Sequence, residues 1–167
     1  MITPEHVKTF ARYNQWQNQS LFRAAGSLSD SQRLEDRGSF FGSIFSTLNH
    51  LLWGDRIWLS RFDQCEAPIQ PSIQTSCKET ASWEELCSAR EAMDQIFLDW
   101  SVTITTEDIQ GDLTWFSGAA NREVSKPKAF LICHIFNHQT HHRGQVHAML
   151  TAAGAKPGDT DLFFLPE

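Results

Sequence analysis

Four long stretches of this chain are bracketed by helix punctuation, and that bracketing is the main constraint on its fold. The first runs from about Pro4 to Ala25. Pro4 suits a first turn, where its missing N–H is no loss; Thr3 is placed to cap that turn and Gly26 to end the helix. The second spans roughly Ser43 to Phe62, directly after Gly42. The third starts at Ser82, because "SWEE" sets Ser82 and Glu85 in a capping-box relation, and ends near Trp100. The fourth runs from Lys126 or Pro127 to Ala153, with Gly154 as its stop.

Between these stretches the chain is irregular. Ser29 and Gln32 in "SDSQ" have capping-box spacing for a short turn, and the prolines of "APIQPSIQTS" break regularity. Residues 101–125 read as a loop with a short hairpin, since Gly111 and Gly118 flank "DLTWFS". No convincing run of alternating strands appears elsewhere. The apolar end of "KPGDTDLFFLPE" is expected to dock on the body. The prediction is one all-α domain over residues 1–167, a four-helix bundle with an irregular segment before the fourth helix.

Composition narrows the function classes. At 167 residues, with 41% hydrophobic and 20% charged residues, the chain has the makings of an ordinary globular core. No apolar run approaches the ~18 residues of a membrane span, and "MITPEHVKTF" lacks a secretion signal. A net charge of −6 with no Lys/Arg cluster argues against nucleic acid. Cys65, Cys77, Cys87 and Cys133 show no C-x-x-C pair, so reduced thiols in the cytoplasm are the expectation.

The chemistry gathers in "HIFNHQTHHRGQVHAML", which holds five of the seven histidines. His138 and His142 stand at i and i+4 on one helix face, about 6 Å apart at Cβ, close enough to share an ion. His134 lies one turn earlier on that side, and Gln145 and Met149 continue the stripe. The stripe overlaps the core-facing apolar one, where each imidazole needs a partner for its nitrogens. A metal supplies one; an ordinary hydrogen-bonded core histidine is the competing reading. Gln139 stands where the H-E-x-x-H motif needs glutamate, so peptidase chemistry of that type is unsupported. His141 is ambiguous, and His147 points away and is expected to be solvated.

A catalytic metal site commonly has three protein ligands and an open position. His50, in the second helix, is the best third candidate. Ser43, Ser46, Thr47 and Gly54 share its side and leave space beside it for water or substrate; alternatively Gly54 merely lets two helices approach closely. Asn14 and Asn18 fall inside the apolar stripe of the first helix and must find polar partners. They either line a pocket near the metal or bond to a neighbouring helix. Trp16, opposite that stripe, is assigned to a subunit interface or a second packing layer.

Four segments together carry a resemblance: "YNQWQN" at 13–18, "TLNHLLWGDRIWL" at 47–59, "FNHQTHHRGQV" at 136–146 and "TDLFFLPE" at 160–167. In this order the chain resembles the DinB family. The resemblance implies an up-down-down-up four-helix bundle, often a homodimer, with a divalent metal held by three histidines. Carried onto this chain, the ligands are His50, His138 and His142. His134 and His141 are then left to orient a ligand or hold water. Some members of the wider superfamily are thiol-dependent S-transferases or a mycothiol-dependent isomerase. The expectation is therefore a metal-dependent enzyme, with zinc or nickel as cofactor, acting on a small molecule by S-transfer or hydrolysis. Any low-molecular-weight thiol would come from outside, since no cysteine here matches a catalytic motif. The alternative is a non-enzymatic metal-binding stress-response module in which the ion is structural.

Overall fold

The computed structural model describes residues 2–167. Four long helices account for most of it: α1 (Pro4–Gly26), α3 (Ile44–Arg61), α4 (Trp83–Thr103) and α6 (Lys128–Ala152). Two short ones, α2 (Asp30–Leu34) and α5 (Thr106–Ile109), sit in the connections. Strands β1 (Asp112–Ser117) and β2 (Arg122–Pro127) form the expected hairpin, antiparallel with Trp115 opposite Val124. Among the described residues no helix is long and apolar enough to cross a membrane.

The caps fall where the punctuation put them. Thr3 accepts from the His6 N–H, Ser43 from Ser46 and Ser82 from Glu85, each satisfying an otherwise orphaned first-turn donor. The Ser82 box differs in one detail: the Glu85 carboxylate accepts from the Ala81 N–H instead of returning to Ser82. The third long helix runs one turn past Trp100, to Thr103, and α5 follows with a reciprocal box between Thr105 and Asp108. Gly154 adopts φ 81 beyond α6, the left-handed stop that glycine takes without a Cβ clash.

The packing makes a closed circuit: α1 lies against α4 and α6, and α3 lies against the same two. One core joins them, with Val7, Ala11 and Leu21 from α1, Leu48 and Leu52 from α3, and Leu86 and Phe97 from α4. Helix α6 adds Ile132, Ile135 and Leu150. Fully burying each of the larger of these side chains is worth about 1.5–3 kcal/mol, which is what assembles helices of weak intrinsic stability.

A polar seam crosses this core. Asp55 (α3) pairs with Arg90 (α4) at 2.6 Å, and Arg90 also reaches Asp94 at 2.9 Å. Gln139 (α6) donates to Asp55 and, at 3.3 Å, to the Leu51 carbonyl. Asn18 donates to Asp94 at 2.8 Å, while Asn14 accepts from Arg143 of α6. Asn14 and Asn18 thus direct these side-chain bonds to neighbouring helices. Burial pushes Asp55 up to about 6 against the opposing pull of Arg90, and pulls the Arg143 guanidinium down to about 10.

The tail docks on α1, but through backbone. Tyr13 donates to the Thr160 carbonyl at 2.6 Å, Gln17 to Asp159 at 2.9 Å, and Ser20 accepts from Gly158 at 2.8 Å. The apolar residues expected to make that contact, Leu162, Phe163 and Phe164, stay exposed. Trp16 is half-buried beside the Tyr13 ring.

Candidate metal centre

Helices α3 and α6 bring three of the seven histidines to one point. His50, His138 and His142 each offer a nitrogen, and the three nitrogens lie within 4.8 Å of one another. His50 and His142 are buried and His138 half-buried. The i, i+4 pair on α6 supplies two rings, and the lateral contact of α3 with α6 supplies the third.

Hydrogen bonds behind two of the rings fix their tautomers. The Ser76 hydroxyl donates to the Ile73 carbonyl at 2.7 Å, so at 2.8 Å it accepts from His50 Nδ1. His50 Nδ1 therefore carries the proton and Nε2 a bare lone pair. His142 Nδ1 lies 2.7 Å from the Gln145 amide oxygen, which only accepts, so its Nε2 is bare as well. His50 Nε2 sits 3.2 Å from His138 Nε2. Zinc–nitrogen bonds of about 2.0–2.1 Å in tetrahedral geometry place neighbouring ligands about 3.3 Å apart. The His50–His138 spacing thus suits two ligands of one ion, and the Nε2 atoms of His50 and His142 are free to bind it.

Electrostatics point the same way. Burial, and then repulsion from His142, holds His50 down to about 3; burial and the neighbouring histidines hold His138 there too. Burial also lowers His142, which Gln145 partly offsets. The imidazoles are neutral near pH 7, the state that ligates a metal.

Ser76 reaches His50 because the irregular segment after α3 is tied back onto that helix. The Asn49 amide oxygen accepts from Thr80 N–H at 2.7 Å, and the Trp53 indole donates to Gln70 at 2.7 Å. Buried Glu79 accepts from Arg56 at 2.8 Å and from two backbone N–H groups, of Ile69 and Gln70. Phe41 stacks on His50 with centroids 3.9 Å apart, covering one side of the site. Gly54 has a specific neighbour: a Cβ there would stand 3.0 Å from His138 Cε1. The glycine makes room for the imidazole itself, in addition to letting the helices approach.

The remaining histidines separate. His134 packs edge-on against Trp58 and 5.7 Å from His138 between ring centroids; burial and Arg61 lower it. His141 is exposed beside His142. His147, expected in solvent, is half-buried and lines a cleft between α1 and α6. Ser76, Phe41 and the tie from Asp55 to Gln139 were not among the sequence candidates. Of the supporting residues, Gln145, one turn after His142 on the same stripe, and Gly54, on the His50 side of its helix, carried a signal.

Comparison with known proteins identifies the family. The whole chain, residues 1–167, matches the DinB family. It is 30% identical over 156 residues to Protein DinB of Bacillus subtilis (strain 168), covering 89% of this chain and 87% of that protein. No solved structure matches. On the full-length match and this relative, the chain belongs to the DinB family.

Proposed function

We propose that the protein is a metalloenzyme on an up-down-down-up four-helix bundle, binding zinc or nickel through Nε2 of His50, His138 and His142. The observation that carries this is the 3.2 Å approach of two imidazole nitrogens, with the back nitrogen of His50 committed as a donor to Ser76. Among the described residues no fourth His, Cys, Asp or Glu joins the cluster. A structural zinc site is usually closed by four protein ligands, so a three-ligand set favours an open position and catalysis.

When bound there, a divalent ion lowers the pKa of a coordinated water or thiol and so supplies a nucleophile near neutral pH. The chain's own residues prepare that position. Ser76 and Gln145 hold two rings in the Nδ1–H tautomer. Phe41 and Trp53 flank the His50 ring and shield it from water. None of the four cysteines belongs to the cluster, so S-transfer would take its thiol from a small molecule.

The test has two parts. Chelation with EDTA, followed by circular dichroism, should leave the helices folded. The zinc- or nickel-loaded protein is then screened with small thiols against 1-chloro-2,4-dinitrobenzene and with ester substrates. Turnover that disappears on chelation and in His138→Ala supports the reading. Unfolding on chelation would make the ion structural, and absence of turnover in every loaded form would sink the enzyme assignment.

A further inference from the structure

A second feature lies in the groove between α1 and α6, and none of the residues lining it belongs to the histidine triad. Here a cleft of about 400 Å³ is bounded by Tyr13, Leu21, Thr140, Arg143, Gly144 and His147. The tail closes one side of it through Thr160.

Arg143 is the unusual member. It is only 5% exposed, yet among the described residues no carboxylate lies within 4.0 Å of its guanidinium. Both nearby buried carboxylates, Asp55 and Asp94, are paired with Arg90. Arg143 bonds only neutral groups: Asn14 through Nη1, and Thr140 through a long 3.5 Å contact from Nη2. Buried guanidinium groups are normally matched by an anion, and the fork of one fits a carboxylate best.

Gly144 points to the same place independently. An interior helical glycine costs about 1 kcal/mol relative to alanine. Close approach of another element is the usual reason for one, but nothing lies within 4 Å of where its Cβ would stand. A side chain there would project into the cleft. The glycine keeps that space open beside the arginine.

We propose that this cleft binds a small carboxylic acid. Arg143 and the ring N–H of His147 take the carboxylate, and Leu21 with the Tyr13 ring packs the ligand's apolar body. A monoanion fits better than a phosphate dianion. Among the described residues the only guanidinium or ammonium group lining the cleft is Arg143, and the adjoining tail carries Asp159 and Asp161.

The test is titration of the ¹⁵N-labelled full chain with sodium benzoate and, separately, inorganic phosphate at constant ionic strength. Benzoate should give saturable shifts centred on the Gly144 amide and the Arg143 side chain, with phosphate at least tenfold weaker. Gly144→Leu fills the cleft and should weaken benzoate at least tenfold without lowering Tm. His147→Ala, a half-exposed change with little call on the fold, should weaken it several-fold. The proposal is overturned by no saturable shift, by phosphate binding more tightly, by shifts centred on His138 and His142, or by unchanged affinity in both variants.

Discussion

The interior of this protein holds two polar clusters that solve burial in opposite ways. Asp55, Arg90, Asp94, Gln139 and Asn18 form a charged seam in which donors meet acceptors across all four long helices. His50, His138 and His142 form a neutral cluster in which ring nitrogens converge. Most of the seam's groups are satisfied within the chain; Arg90 Nε, the Gln139 amide oxygen and the amide nitrogen of neighbouring Asn14 have no hydrogen-bond partner. In the triad, Ser76 and Gln145 accept from the back nitrogens of two rings, which turns the Nε2 of His50 and of His142 forward. A buried polar cluster that satisfies itself is read as architecture. One that gathers neutral ring nitrogens at one point is read as a site for something supplied from outside.

The sharpest way to separate them is to break the seam. Arg90→Met strands the Asp55 and Asp94 carboxylates, both almost fully buried. Urea unfolding should show a loss of about 3–5 kcal/mol. A loss below 1 kcal/mol would mean the seam is not the internal brace described.

The next effect is in pH. Folded His50 and His138 are held near 3, whereas the unfolded rings take protons at the ordinary value of 6.5. Between those values the unfolded state binds more protons, so stability without metal rises with pH and is complete above about 6.5. Asp55, raised from 3.8 to about 6, works in the opposite direction over its narrower window. His138→Asn should flatten the rise by about one proton, or ~1.4 kcal/mol per pH unit. An unaltered slope would show that His138 is not buried neutral.

Smaller effects probe the support of the triad. Gln145→Ala and Ser76→Ala each free an imidazole to change tautomer, and isothermal titration should show zinc affinity lowered about 10–100-fold. Unchanged affinity in both would remove the tautomer argument. Gly54→Ala is subtler. Its new methyl must displace the His138 ring by a few tenths of an ångström, so affinity should fall several-fold. The helix itself should gain up to about 1 kcal/mol, because alanine replaces glycine in its interior. Simultaneous loss of helix stability and affinity would instead mean that Gly54 serves helix packing.

How much of this was readable beforehand depended on whether the determinant is local. Thr3, Ser43, Ser82 and Gly154 mark helix ends through bonds made within a few residues, so their types and spacing announce them. The His138/His142 pair is likewise local, one turn on one face. His50 was visible only as a histidine among small residues, and the resemblance made it a ligand. Ser76 stands behind it because Asn49, Trp53 and Glu79 hold an aperiodic segment against α3, and such side chain–backbone ties leave no periodic trace. The hairpin was faint for a different reason. Adjacent Trp115 and Phe116 blur the alternation, one turned in against Trp58 and the other 66% exposed. Arg143 and Gly144 entered the sequence reading only as part of the segment at 136–146 that carries the resemblance, because their place in a cleft depends on α1 and the tail lying across from them.

The central claim, that the triad is a metal site, is tested most directly by the metal content of the protein purified without chelator, read beside a zinc titration of the stripped protein. The account predicts about one divalent ion per chain in the wild type, and in His142→Ala an affinity lowered at least 100-fold with the helices still folded. If the wild type and His142→Ala hold equally little metal and bind zinc equally weakly, the three histidines are core residues and the site does not exist.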